Sequence, residues 1–170
     1  NETFKCDMLV IGVGVVPNPS ISHPDLEVLK GTIVVNAYNE TSIKDVYAAG
    51  DVVSWPYGGS LIHIEHWENA YNQGISAAKN MMNERSSVFS MTPYFWTDQY
   101  DQTFEYLGHA SQWYRSVIRG SLESRNFTVA YLDENDTVLA ILFANKFDKR
   151  KEVLAYLTSG VRFDETRFQD

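Results

Sequence analysis

Thr41-Ser42-Ile43-Lys44-Asp45-Val46-Tyr47-Ala48-Ala49-Gly50-Asp51 is the stretch from which the rest of the chain can be read. A polar pair precedes a short gap, and Val46-Tyr47-Ala48-Ala49 then forms a compact run that enters Gly50 and Asp51. A short apolar run of this kind suits a strand covered on both faces, as in a parallel sheet between helices. The small Ala48-Ala49-Gly50 side chains let another group approach the backbone closely. A carboxylate at the carboxyl end of such a strand stands where open α/β sheets bind ligands, and it accepts hydrogen bonds from hydroxyls. On residue types alone, the same letters also describe a buried strand ending in a Gly-Asp turn.

Upstream, Met8-Leu9-Val10-Ile11 is a second apolar run, closed by Gly12-Val13-Gly14 and broken by Pro17-Asn18-Pro19. Thr32-Ile33-Val34-Val35 is a third strand, entered through Gly31. Downstream, Trp67, Ala70, Tyr71, Gly74, Ala78, Met81 and Met82 recur at steps of three and four, which predicts a helix over 66–82 with one apolar stripe. Residues 83–92 read as a polar linker ending at Pro93. Beyond it, 127–131 and 138–143 flank Asp133-Glu134-Asn135-Asp136, a hairpin signal. A closing helix is expected over 149–159, with Gly160 as its stop. The chain thus divides near residue 90 into a parallel-sheet α/β part and an antiparallel sheet with helices.

Composition narrows the function classes. At 44% hydrophobic and 21% charged, the 170 residues have the make-up of a globular chain. A net charge of −8 is the wrong sign for a nucleic-acid binder or for adhesion to an anionic membrane. No apolar run reaches the length of a spanning helix, and the opening Asn1-Glu2-Thr3 has no signal-peptide pattern, so the expected location is the cytoplasm. The single cysteine, Cys6, excludes an internal disulfide or a CxxC redox pair from this portion. The sequons at Asn1, Asn39, Asn126 and Asn135 are then chance matches. No metal-ligand set is expected.

Taken together, these segments resemble the two-dinucleotide-domain flavoprotein reductases. Thr41–Asp51 is similar to their second FAD fingerprint. Ile64-Glu65-His66-Trp67-Glu68-Asn69-Ala70 is similar to the family segment in which a helix N-terminus points at the flavin pyrimidine edge. Unsatisfied N–H groups and the positive dipole end favour negative charge there. Cys6–Asn18 resembles the last strand and turn of the NAD(P)H domain; its Gly-x-Gly lacks the third glycine of the phosphate-binding loop and runs into Pro17. Pro93-Tyr94-Phe95-Trp96-Thr97-Asp98-Gln99-Tyr100 resembles the opening of the C-terminal domain of oxygenase-coupled ferredoxin reductases and of relatives similar to apoptosis-inducing factor.

The resemblance implies an α/β remnant of a dinucleotide-binding domain followed by an α+β reductase domain. Its expected divisions are 1–33 (end of the NAD(P)H domain), 34–90 (C-terminal part of the FAD domain) and 91–170 (C-terminal interface and dimerisation domain). It implies FAD contacts at Gly50, Asp51, Glu65, His66, Trp67 and Trp96, and NAD(P)H contacts at Gly12 and Gly14. On residue types alone, Trp67 and Trp96 also suit core positions, and His66 suits a plain helix start. No acid–base residue is expected, because hydride passes from nicotinamide to flavin and the cofactors carry the redox chemistry. The implied acceptor is a ferredoxin or rubredoxin, and the implied assembly a homodimer. Alternatives are an NADH oxidase or nitrite-reductase-like flavoprotein with another acceptor, or an isolated dimerisation module. Both GxGxxG phosphate cradles of the family are missing from these residues, so the chain alone is expected to bind FAD weakly and to be inactive. A basic docking patch for an acidic partner is sparse, reduced to Lys146, Lys149, Arg150 and Lys151.

Overall fold

The computed structural model describes residues 2–18, 23–83, 86–145 and 150–169. Lys146 and Lys149 of the basic cluster lie outside the described residues. Two sheets organise the chain. The first runs β1 (Val28–Leu29), β2 (Thr32–Val34), β3 (Val53–Tyr57) and β4 (Ser60–His63), in that order. Only β2 and β3 pair in parallel; the other two pairings are antiparallel. Helix α1 (Trp67–Asn83) follows.

The second sheet is wholly antiparallel, in the order β5 (Tyr94–Gln99), β6 (Gln102–Gly108), β9 (Val138–Ala144), β8 (Asn126–Leu132) and β7 (Arg115–Ser121). Helices α2 (Arg150–Ser159) and α3 (Glu165–Gln169) cover one face of it. The predicted hairpin is β8–β9. Its turn closes because the Asp133 carboxylate accepts the N–H groups of Asn135 at 2.9 Å and Thr137 at 2.7 Å. Gly160 terminates α2 with φ +63°, the left-handed conformation a helix stop requires.

Each sheet has its own core. Val35, Val53, Trp55, Ile62 and Phe89 fill the first; Leu107, Ala130, Leu132, Ile141 and Phe143 are central to the second. An ion-pair strap ties the C-terminal segment to the β8–β9 turn. Asp136 receives Arg115 at 2.8 Å and Arg162 at 3.0 Å, while Arg115 also reaches Glu165 at 3.0 Å. These guanidiniums hold the Asp136 carboxyl below its ordinary range, Arg162 first and then Arg115.

Four expectations change. Met8–Ile11 is not a strand: it lies in an irregular segment with its side chains exposed, Val10 by 86%. A strand buried on both faces needs neighbours on either side, and no described residue pairs with this one. Val46–Ala49 is not a regular strand ending at Asp51. It forms the isolated Glu40–Tyr47 bridge, flanked by the bonds Thr41 N–H to Val46 O and Ala48 N–H to Asn39 O. The regular strand begins two residues after Asp51, at Val53. The segment before Pro93 is not a free linker either, because Phe89 is buried edge-on against Trp55, with centroids 5.9 Å apart, and its N–H bonds Ala37 O.

The fourth change concerns α1. Its apolar stripe faces outward: Trp67, Tyr71, Met81 and Met82 are exposed. The buried face is Asn69, Gln73, Ser76, Ala77 and Asn80. The reason is what the helix packs on. It covers irregular backbone whose polar groups have no sheet partner, and buried backbone groups need hydrogen bonds more than they need hydrocarbon. Asn80 donates to Tyr38 O and Ser87 O and accepts from Ser87 N, each at 2.8 Å.

Candidate functional site

The Thr41–Asp51 stretch folds as a looped hairpin whose polar pair anchors backbone. Ser42 Oγ accepts Glu27 N–H at 2.8 Å and donates to Asp25 O at 2.7 Å, and Thr41 Oγ1 accepts Ile43 N–H at 3.1 Å. At its end stands the Gly50–Asp51 turn. Gly50 is buried with φ +87°, where an L side chain is strained. A Cβ there would come within 3.3 Å of Ala70 Cβ, so glycine lets α1 pack close beneath the turn. Gly50 O then accepts Val53 N–H at 3.1 Å, starting β3.

Two side chains hold this turn. Gln73 Oε1, on the buried face of α1, accepts Gly50 N–H at 2.7 Å. His63 Nε2, at the end of β4, lies 2.7 Å from Asp51 O. A carbonyl only accepts, so Nε2 carries the proton. The Asp51 side chain is exposed, and its carboxylate has no hydrogen-bond partner among the described residues.

Glu65 and His66 lead directly into α1, and His66 O accepts the Ala70 N–H of the first turn. Burial pushes the His66 imidazole below its ordinary range; the charges of Asp51 and Glu65 oppose this, and His109 adds to it. His66 is therefore neutral at neutral pH, and its Nδ1 is buried without a partner among the described residues. The ring packs against Phe95 of β5, with centroids 4.5 Å apart. Trp67 stands 71% exposed, stacked on Tyr71 one turn along α1 at 5.4 Å. The structure thus gathers Gly50, Asp51, Glu65 and His66 around the start of α1, with Trp67 presenting an open ring beside them.

Trp96 belongs to a strand, where neighbouring side chains point to opposite faces. Phe95 meets His66 on one face and continues to Tyr106 at 5.4 Å, whereas Trp96 stacks on Tyr94 at 5.9 Å on the other. Gly12 and Gly14 lie in the exposed N-terminal segment, where a Cβ on either would meet nothing within 4 Å, and no contact brings them to the turn. His109, His63 and Gln73 lie outside the motifs read from the sequence, and Phe95 lies inside one without a role of its own. For Phe95 a signal is present: period-two reading of Tyr94–Gln99 separates it from Trp96. For Gln73 the three-and-four spacing from Asn69 to Asn80 marks a second, polar stripe.

A separate cleft of about 680 Å³ opens between the β3–β4 hairpin and the 109–112 loop, lined by Tyr57, His63, Thr92, His109, Ser111 and Gln112 among others. It adjoins the turn through His63. No grouping of acidic, His and Cys side chains suited to a metal ion occurs among the described residues. None of the described helices is long and apolar enough to cross a membrane.

This geometry fits a polar, planar-ring cofactor: a free carboxylate on a glycine turn, a helix N-terminus with N–H groups that the helix itself cannot satisfy, and a neutral His66 with an orphaned nitrogen. Residues 1–74 match the family profile described as pyridine nucleotide-disulphide oxidoreductase, and residues 94–170 match the one described as reductase C-terminal. Apoptosis-inducing factor 3 of Homo sapiens is 31% identical over 165 residues, covering 94% of this chain and 27% of that protein. The ferredoxin–NAD(+) reductase component of the p-cumate 2,3-dioxygenase system of Pseudomonas putida is 31% identical over 144 residues, covering 84% and 35%. Among solved structures, the covalent putidaredoxin reductase–putidaredoxin complex aligns with a TM-score of 0.82 at 27% identity, covering 94% of this chain and 38% of that one. The chain therefore spans between 27% and 38% of the length of these proteins. The chain thus carries a pyridine nucleotide-disulphide oxidoreductase match over residues 1–74 and a reductase C-terminal match over residues 94–170, on a fold shared with the putidaredoxin reductase–putidaredoxin complex.

Proposed function

We infer that this chain is the C-terminal portion of an FAD-dependent NAD(P)H oxidoreductase that delivers electrons to a small electron-transfer protein such as a ferredoxin or rubredoxin. The observation that carries the reading is the Gly50–Asp51 turn, with its free carboxylate beside the Glu65–His66 entry to α1. The relative named as a ferredoxin–NAD(+) reductase component and the structure of a reductase joined to putidaredoxin support the choice of acceptor. On this reading, residues 1–33 end the NAD(P)H domain, 34–90 complete the FAD domain and 91–170 form the C-terminal domain of a cytoplasmic homodimer.

The flavin, when bound, supplies the hydride and electron chemistry. The chain's own residues orient and exclude. Asp51 accepts hydrogen bonds from cofactor hydroxyls. The start of α1, at His66 and Trp67, offers backbone N–H groups and the positive dipole end to negative charge. Neutral His66, packed on Phe95, keeps water from that edge without adding a charge. Glu65 orients the entry through its neighbour His63, 3.7 Å away. Trp67 and Trp96 are assigned to the flavin surroundings, and Gly12 and Gly14 to passage of the nicotinamide end. Asp51→Ala in the full-length protein tests this. Loss of charge-assisted hydrogen bonds should weaken FAD by about a hundredfold, so that flavin separates on gel filtration. Retention of FAD with unchanged affinity refutes the reading.

A further inference from the structure

We propose that Gln73 and His63 are positioning residues that clamp the Gly50–Asp51 turn from opposite sides and so set the direction in which Asp51 meets the cofactor. The inference rests on the reading of Asp51 as a flavin ligand. Gln73 reaches the turn from inside: it is fully buried on α1, and its Oε1 takes the Gly50 N–H at 2.7 Å. His63 reaches it from outside, donating from Nε2 to Asp51 O at 2.7 Å.

The geometry makes this more than a generic contact. Gly50 sits at φ +87°, a conformation glycine shares almost equally with its alternatives, so the residue itself does not select it. Two side-chain bonds, one on the Gly50 N–H and one on the Asp51 carbonyl, fix the peptide planes at either end of this two-residue turn. A carboxylate exposed and without a partner among the described residues is aimed only by its backbone. Gln73 Nε2 is buried with no partner among the described residues, so the side chain meets the turn through its acceptor alone. His63 Nε2 is also 3.7 Å from Glu65 Oε1, so the outer clamp links the turn to the residue preceding His66.

The test is a double-mutant cycle on the full-length flavoprotein, reading FAD dissociation constants from reconstitution of apoprotein and checking the fold by circular dichroism. Gln73→Leu and His63→Ala should each weaken FAD about tenfold. His63→Gln, which keeps a donor, and Gln73→Glu, which keeps an acceptor, should recover most of that loss. In the Asp51→Ala background neither Gln73→Leu nor His63→Ala should weaken FAD further, because both act through Asp51. Equal losses in the two backgrounds, or no loss in either, overturn the inference while leaving the flavin reading intact. An Asp51→Ala protein with unchanged FAD affinity overturns both. Should Gln73→Leu fail to fold, the partly exposed His63 carries the same cycle alone.

Discussion

Replacing Gly108 by alanine isolates a cost that φ alone does not explain. Gly108 closes β6 with φ +92°, opposite Ala140 of β9. A Cβ built on it runs into the backbone oxygen of Leu139 and lies 2.8 Å from Ala140 Cα. Backbone of a central ladder cannot step aside as the end of a flexible side chain can. The left-handed conformation costs an L residue about 1–2 kcal/mol, and relieving the overlap by shifting packed strands costs about 1–3 kcal/mol more. Gly160, in the same half of the chain, provides the control. Its φ is +63°, and a Cβ there meets nothing within 4 Å. Gly160→Ala should therefore cost about 1 kcal/mol. With about 2–4 °C per kcal/mol for a chain of this size, Gly108→Ala should melt about 10 °C lower and Gly160→Ala about 3 °C lower. Thermal and urea unfolding followed by circular dichroism read both. If the two variants agree within about 1 kcal/mol, the close approach of β6 and β9 is not the reason for the glycine.

Asn80→Leu tests the inverted helix: although it adds hydrocarbon to a buried position, it strips hydrogen bonds from Tyr38 and Ser87, and should destabilise by about 3 kcal/mol in urea unfolding. A neutral or stabilising result would mean that the polar face of α1 is incidental. Asp136→Asn tests the strap by pH. The folded carboxyl titrates below its unfolded value of about 3.9, so its contribution is present above that pH and is lost as pH falls through the lower folded value. The variant should be less stable at pH 7 and show a flatter acid limb; parallel profiles for the two proteins would refute the pairing.

What could be read from the letters followed how local each signal was. The β8–β9 hairpin and α2 were legible because Asp133-Glu134-Asn135-Asp136 and Gly160 impose their turns within a few residues. Met8–Ile11 misled because hydrophobicity reports that a segment wants cover, not that a partner is at hand. Helix α1 was legible at nearly its full length, but its orientation was not. An apolar stripe was visible, while the demand of the 38–50 backbone for amide partners was a tertiary fact. At the candidate site, resemblance to a family proposed Asp51, Glu65 and His66, and the fold brings these three together at the start of α1. The contacts of Phe95, on β5, and His109, just after β6, with His66 are tertiary and lie beyond any local pattern.

The Asp136–Arg162 pair also has a consequence for how the chain comes apart. It closes a ring of 26 residues that contains β9 and α2, and the Thr137–Arg162 bridge sits at the same clasp. Opening a ring of that length releases configurational freedom that grows only as the logarithm of its size. The clasp couples the C-terminal segment to the β8–β9 turn, so the two should lose native-state hydrogen-exchange protection together.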